Sequence, residues 1–235
     1  MQAWHEPLPD GRAVELRATS RADGDLAVDG PPAELAPHRT AIVARPWVWL
    51  RQVHGREVLV VAADDDPGSL AGTPADAVVT TRTDIALAVH GADCAILGLW
   101  SPEGVIGAVH AGWQGIEADV VGAAADAMRA LGASGIAAVA GPCIGPECYE
   151  FGPADLDRLA EQLGPEVRGT TAWGTPALDL PAALAASMRR AGVVALSPPG
   201  ECTACADVTL WSHRARADTG RQALLVWLDG APGPR

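Results

Sequence analysis

The chain has 235 residues, 49 % of them hydrophobic, and a formal net charge of −12 at pH 7. All 17 basic residues are arginine, which excludes a Walker phosphate loop, a Schiff-base lysine and a kinase-type lysine. A surface this acidic repels nucleic acid and anionic membranes outside any local basic pocket. No apolar run approaches the roughly 18–20 residues that span a bilayer. The opening MQAWHEPLPDGRAVELRATS lacks the basic-then-apolar order of a secretion signal, so a soluble cytoplasmic protein is expected. The five cysteines, Cys94, Cys143, Cys148, Cys202 and Cys205, are an odd count that argues against a disulfide framework.

Residues 1–45 are rich in Pro, Gly, Asp and Ala and only weakly periodic, so no element is predicted there. Short apolar runs bounded by turn residues then predict strands over 57–62, 76–81, 85–90, 94–100, 104–110 and 135–141. Helical apolar spacing with a glycine stop predicts a helix over 116–132, and two more follow over 154–164 and 180–192. VVALSP (193–198) and ALLVWL (223–228) predict late strands. Helices interspersed among strands, with no break in composition, predict a single α/β domain over 1–235.

The runs CAILGLW and GVIGAVH flank the turn SPEG and form a predicted hairpin. Pairing about that turn sets Cys94 beside His110 at the open end, with Cα atoms about 5 Å apart if directly opposed. Such a pair serves either as a thiolate–imidazolium couple or as two metal ligands. A third partner decides, and the candidates are His54 in RQVHGRE and His90 in HGADC. His54 ranks ahead, because it shares with His110 the order of apolar run, histidine and small residue. A Cys-His-His set is a normal zinc shell with one open position, which means catalysis rather than structure.

QVHG, ADC followed by an apolar run, HAGWQG, GPCIGPECYEFG and CT…SHR…TGR stand in an order and at a spacing similar to the YfiH family. This is the DUF152 or laccase-domain family, formerly labelled multicopper polyphenol oxidase, and it includes purine nucleoside phosphorylases and the peptidoglycan editing factor group. The resemblance covers residues 47–228. It implies a layered α/β fold of mixed sheets flanked by helices, resembling the catalytic domain of cytotoxic necrotising factor. It also implies a zinc ion held by His54, Cys94 and His110. The implied chemistry is phosphorolysis of purine nucleosides, with deamination of adenosine beside it; the partners are then a purine nucleoside and phosphate. Phosphate needs arginine or backbone N–H holders, and the candidates are Arg51, Arg214 and Arg221, with Gln114 as a further candidate substrate contact. Asp93, next to Cys94, is expected to orient the site or accept a proton, against the reading of a plain turn residue.

The chain departs from the family pattern in places. The arginine of HAGWRG is Gln114 here, the tyrosine of CTY is Ala204, and TLWSHRARAD carries His213 and Ala215 where the family has tyrosine and a second arginine. These changes keep a weakly active or inactive zinc-binding paralogue in view. A metal-free Cys94–His110 hydrolase acting on a peptidoglycan precursor is a further alternative. A copper polyphenol oxidase ranks below these, because true multicopper sites need more than the six histidines present. His90 is expected at a structural or pocket-rim position. Cys202 and Cys205 form a lone CxxC expected to pack, Cys143 and Cys148 read as small buried hydrophobes, and Trp113 reads as a core anchor. Gly112 and Gly115 are expected to let backbone approach a ligand.

Overall fold

The computed structural model of the protein describes residues 2–197 and 199–230. The chain begins with an antiparallel hairpin, β1 (Gln2–Pro7) and β2 (Ala13–Ala18), and helix α1 (Pro32–Ile42). There follow β3 (Trp47–Arg51), β4 (Val58–Val61), the single turn α2 (Pro67–Leu70), β5 (Thr73–Pro74), β6 (Ala77–Thr80), β7 (Ala86–Gly91), β8 (Ala95–Trp100) and β9 (Ile106–Ala111). Helices α3 (Trp113–Glu117) and α4 (Val120–Ala130) lead to β10 (Ile136–Ala140) and α5 (Pro153–Leu163). The ribbon β11 (Arg168–Thr170) and β12 (Pro176–Leu178) precedes α6 (Leu180–Arg190), β13 (Val193–Ala195), the single turn α7 (His213–Arg216) and β14 (Gln222–Asp229).

The long strands form two mixed six-stranded sheets, ordered β1-β2-β14-β7-β3-β5 and β13-β10-β8-β9-β6-β4. Side chains alternate across each strand, and the two faces have different neighbours. In β14, Leu224, Val226 and Leu228 meet Ile96, Ile106 and Val78 of the other sheet, whereas Ala223, Leu225 and Trp227 face away beside Ile42 of α1. In β9, Ile106 and Ala108 lie between the sheets, while Val109 and Ala111 pack beneath α4 and α6. The layers therefore run helix, sheet, sheet, helices, in agreement with the mixed α/β architecture expected. Each fully buried Leu, Ile or Val adds about 1.5–3 kcal/mol relative to exposure. At Gly98 the sheets touch so closely that a Cβ would overlap Leu16 Cδ2.

Several expectations are corrected. Residues 1–45 do carry elements: β1 is half-exposed and holds its place through its hairpin with β2, so apolar periodicity does not reveal it. The single helix expected over 116–132 is two, because Asp119 sits in the left-handed region at φ 67° and breaks the chain direction between α3 and α4. An aspartate tolerates that conformation better than most residues. The strand expected over 193–198 stops at Ala195, and Pro198 lies outside the described residues. The β8–β9 register places Ile96, not Cys94, directly across from His110. Cys94 stands two residues before Ile96, just outside the strand. His110 extends the inward row of Ile106 and Ala108, so this corner closes one end of the layer between the sheets.

Candidate metal centre

The corner is organised by a residue that the sequence reading passed over. Asp76 immediately precedes β6 and is fully buried. A carboxylate at such depth is costly unless donors surround it. The backbone N–H groups of Val53 (3.2 Å), His54 (3.0 Å) and Gly55 (2.7 Å) all donate to it, and so does His110 Nδ1 (2.9 Å). Burial pushes the Asp76 carboxyl up, but His110 and these N–H groups outweigh it and hold it below the usual value. The backbone N–H of His110 also donates to the Asp76 carbonyl (2.8 Å). One anion thus fixes both the QVHG turn and the end of β9.

That arrangement sets the chemistry of the histidines. The Asp76 anion accepts a hydrogen bond from His110 Nδ1–H, which leaves Nε2 as the ring nitrogen available to a metal. His54 sits at φ 59°, a left-handed conformation stabilised by the three N–H bonds to Asp76. Its ring lies edge-on to that of His110, with centroids 4.9 Å apart, and its Nε2 is 3.8 Å from Cys94 Sγ. One ligand atom from each of His54, Cys94 and His110 lies within 4.8 Å of the others. A Cβ on Gly112 would stand 3.0 Å from His54 Cδ2 and 3.1 Å from Cys94 Sγ. Glycine therefore keeps this face clear, as the small residues after His110 suggested.

Charge is poised as well as geometry. Burial alone would raise the Cys94 thiol, but His110 and His54 bring it down to about 6. Burial opposes the charge on His110, and the Cys94 thiolate and Asp76 raise it all the same. A depressed thiol and two imidazoles, one oriented by a carboxylate, form a donor set that fits zinc or another borderline-soft cation.

The centre opens on a cavity of about 500 Å³ lined by Arg51, Gln52, His90, His213 and Arg221, among others. Arg51 and Arg221 thus stand where a ligand beside the centre would lie. Arg221 Nη1 donates to the carbonyls of Asp218, Thr219 and Gly220, so its charge is held in a fixed place. His90 is 5 % exposed, and neither ring nitrogen has a partner among the described residues. Burial, with the charges of Arg39 and His110, pushes its pKa down to about 3 and keeps it neutral. Gln52 binds the His90 backbone from both sides, accepting from its N–H and donating to its carbonyl.

The remaining predicted residues fall elsewhere. Arg214 lines a separate, larger cavity of about 790 Å³ with Phe151, Trp173, Ala204 and Ala215, and its guanidinium lies 5.1 Å from the Tyr149 ring. Gln114 is exposed on α3 and lines neither cavity. Asp93 is buried at φ 113°; its Oδ1 accepts from Thr203 Oγ1 and its Oδ2 from the Arg214 backbone N–H, both at 2.6 Å. It anchors two distant loops beside Cys94. Trp113 packs edge-on to Phe151 against the core, as expected of an anchor. Cys143 is buried as expected. Cys148 and Cys202 pack in part against the core, as expected, and with Cys205 they also gather with Glu147 in a second cluster. A buried aspartate opening an apolar strand was the one sequence signal for Asp76.

The chain is a mixed α/β protein of two six-stranded sheets with a His-Cys-His corner. The family model described as "Multi-copper polyphenol oxidoreductase laccase" matches residues 18–229, and the chain belongs to this family. It is 40 % identical over 219 residues to purine nucleoside phosphorylase ORF3 of Streptomyces griseus, covering 92 % of this chain and 87 % of that one. It is 39 % identical to a purine nucleoside phosphorylase of Mycobacterium tuberculosis, over 86 % of this chain and 82 % of that one. The fold matches the hypothetical protein YfiH of Bacillus licheniformis with a TM-score of 0.80 at 23 % identity, over 92 % and 93 % of the two chains. It also matches the DUF152 protein NMB0706 of Neisseria meningitidis with a TM-score of 0.76 at 26 % identity, over 98 % and 100 %. No helix among the described residues is long and apolar enough to cross a membrane.

Proposed function

We propose that the protein is a cytoplasmic, zinc-dependent purine nucleoside phosphorylase acting as one family domain, with His54, Cys94 and His110 holding the metal. Deamination of adenosine is assigned to the same centre. The observation that carries the reading is the convergence of these three ligands on a cavity that also receives two arginines, in a chain 40 % identical to a relative named for that activity.

In phosphorolysis a phosphate oxygen bonds to the ribose anomeric carbon, the glycosidic C–N bond breaks, and the purine leaves with the bonding electrons and gains a proton. Products are the free base and ribose 1-phosphate. Arg51 and Arg221 supply positive charge for the incoming phosphate; neither needs to change protonation to do so. His90, neutral and without a ring partner among the described residues, offers a hydrogen bond to a purine edge, which would relieve a buried polar group. Asp93 has both oxygens committed and acts as a positioning residue for Cys94 rather than as a proton acceptor. A bound zinc supplies a Lewis acid that stabilises negative charge developing beside it. Asp76 fixes the His110 ring through Nδ1 and holds the His54 backbone N–H, so that both residues could hold such an ion.

A second reading has its own support: the depressed Cys94 thiol beside a raised His110 describes a thiolate–imidazolium dyad without metal. Copper in place of zinc also suits the donor types. The test incubates zinc-loaded protein with adenosine, inosine and guanosine, with and without phosphate. Base release that requires phosphate is expected, together with its loss in Cys94→Ala. No release from any of the three would contradict the phosphorylase reading, and stoichiometric alkylation of Cys94 in freshly purified protein would favour the dyad.

A further inference from the structure

Two loops bring three cysteines and a carboxylate together outside the His54–Cys94–His110 centre. Glu147 and Cys148 belong to the turn Pro146–Cys148, and Cys202 and Cys205 form a CxxC turn far along the chain. Cys148 Sγ and Cys205 Sγ are 3.5 Å apart, and Cys205 Sγ is 3.5 Å from Glu147 Oε1. One ligand atom from each of Glu147, Cys148, Cys202 and Cys205 lies within 4.8 Å of the other three. With Zn–S bonds of about 2.3 Å, the sulfur–sulfur edge of a tetrahedral zinc site is about 3.8 Å. The cluster already has the dimensions of such a site.

The backbone is shaped for the same purpose. The N–H groups of Cys205 and Ala206 donate to the Cys202 carbonyl (3.1 and 3.0 Å), which closes the CxxC turn and sets both thiols on one side. The Gly145 N–H donates to Cys202 Sγ at 3.2 Å, which fixes the sulfur's position. A Cβ at Gly145 would overlap the Glu147 carboxylate and displace it. Thr203 N–H donates to the Cys143 carbonyl, so the two loops are joined at a second point. All five cysteines are free, which leaves every sulfur available.

We propose that Glu147, Cys148, Cys202 and Cys205 form a second metal site, a closed structural zinc site with four protein ligands. Its position gives it a purpose. Thr203, between the two cysteines of the turn, is the residue that donates to Asp93, and Arg216 donates to the carbonyls of Thr203 and Ala204. An ion here clamps the loop that supports the neighbour of Cys94.

The experiment uses the full chain, purified without chelator or nickel, and Zn²⁺ alone as probe. Two zinc ions per chain are expected. In zinc-saturated wild type, maleimide labelling followed by peptide mapping should find Cys148, Cys202 and Cys205 protected, and a strong chelator should expose them. Cys148→Ser and Cys205→Ser should each remove one ion, whereas Cys94→Ala should remove the other and leave the three thiols protected. Stoichiometric labelling of Cys205 in the zinc-saturated wild type would overturn the proposal, as would a Cys148–Cys205 disulfide in that protein. The wild-type labelling decides even if a variant fails to fold, and it reads this cluster independently of the His54–Cys94–His110 centre.

Discussion

The two cysteine-bearing corners of this molecule use similar atoms for different ends. The His54–Cys94–His110 corner closes the layer between the sheets, rests on the buried Asp76 and faces a cavity. As the proposed ligands, its three donor residues would leave one position of a bound metal open, the arrangement that catalysis requires. The Glu147–Cys148–Cys202–Cys205 corner joins two surface loops, with Cys205 exposed and four ligands that leave no position open. On the proposed roles, ligand number and burial of the supporting shell, more than ligand type, would separate a working centre from a clamp.

That contrast can be broken most forcefully at Asp76. Replacing it with alanine strands a buried imidazole and three N–H groups, and should cost about 3–5 kcal/mol in chemical denaturation. The milder Asp76→Asn should fold and lower zinc affinity at the His54–Cys94–His110 corner by about 10–100-fold in competition titrations, with the sulfur corner unaffected. Gly112→Ala comes next. Its backbone φ of −67° suits alanine, but the new Cβ crowds His54 and Cys94. Turnover should fall by about 10²-fold while Tm changes little. Cys205→Ser should do the reverse, lowering Tm in zinc-containing buffer while turnover falls less than at Gly112→Ala. A smaller effect concerns pH. In metal-stripped protein, alkylation of Cys94 should be slow below pH 6 and accelerate through about 6, rather than near the ordinary value of 9.0, because the folded state favours the thiolate. Zinc should suppress the reaction across that range. Asp76→Asn should move the midpoint upward, since the imidazolium that stabilises the thiolate loses its anion.

Much of the open corner was legible in the sequence, and little of the closed one. The apolar runs at 85–90, 94–100 and 104–110 are buried on both faces, so they read directly as central strands. The hairpin then brought Cys94 and His110 together, although the true register is offset from the one expected. Asp76 carried no signal beyond opening the predicted strand at 76–81, because its backbone donors lie 21 to 23 residues earlier. Periodicity carries no information about such a contact. Cys148 and Cys205 are 57 residues apart on separate loops, and only the tertiary fold makes them neighbours. The β1–β2 hairpin was missed for a related reason: its first strand is half-exposed and is defined by pairing rather than by an apolar face.

Whether His54, Cys94 and His110 hold a metal ion can be read from anomalous diffraction at the zinc edge, with crystals of wild-type protein grown without chelator. An anomalous peak is expected between His54 Nε2, Cys94 Sγ and His110 Nε2, with Asp76 on the far side of the His110 ring. Zinc-supplemented crystals with no peak there, and a free thiol at Cys94, would contradict that expectation.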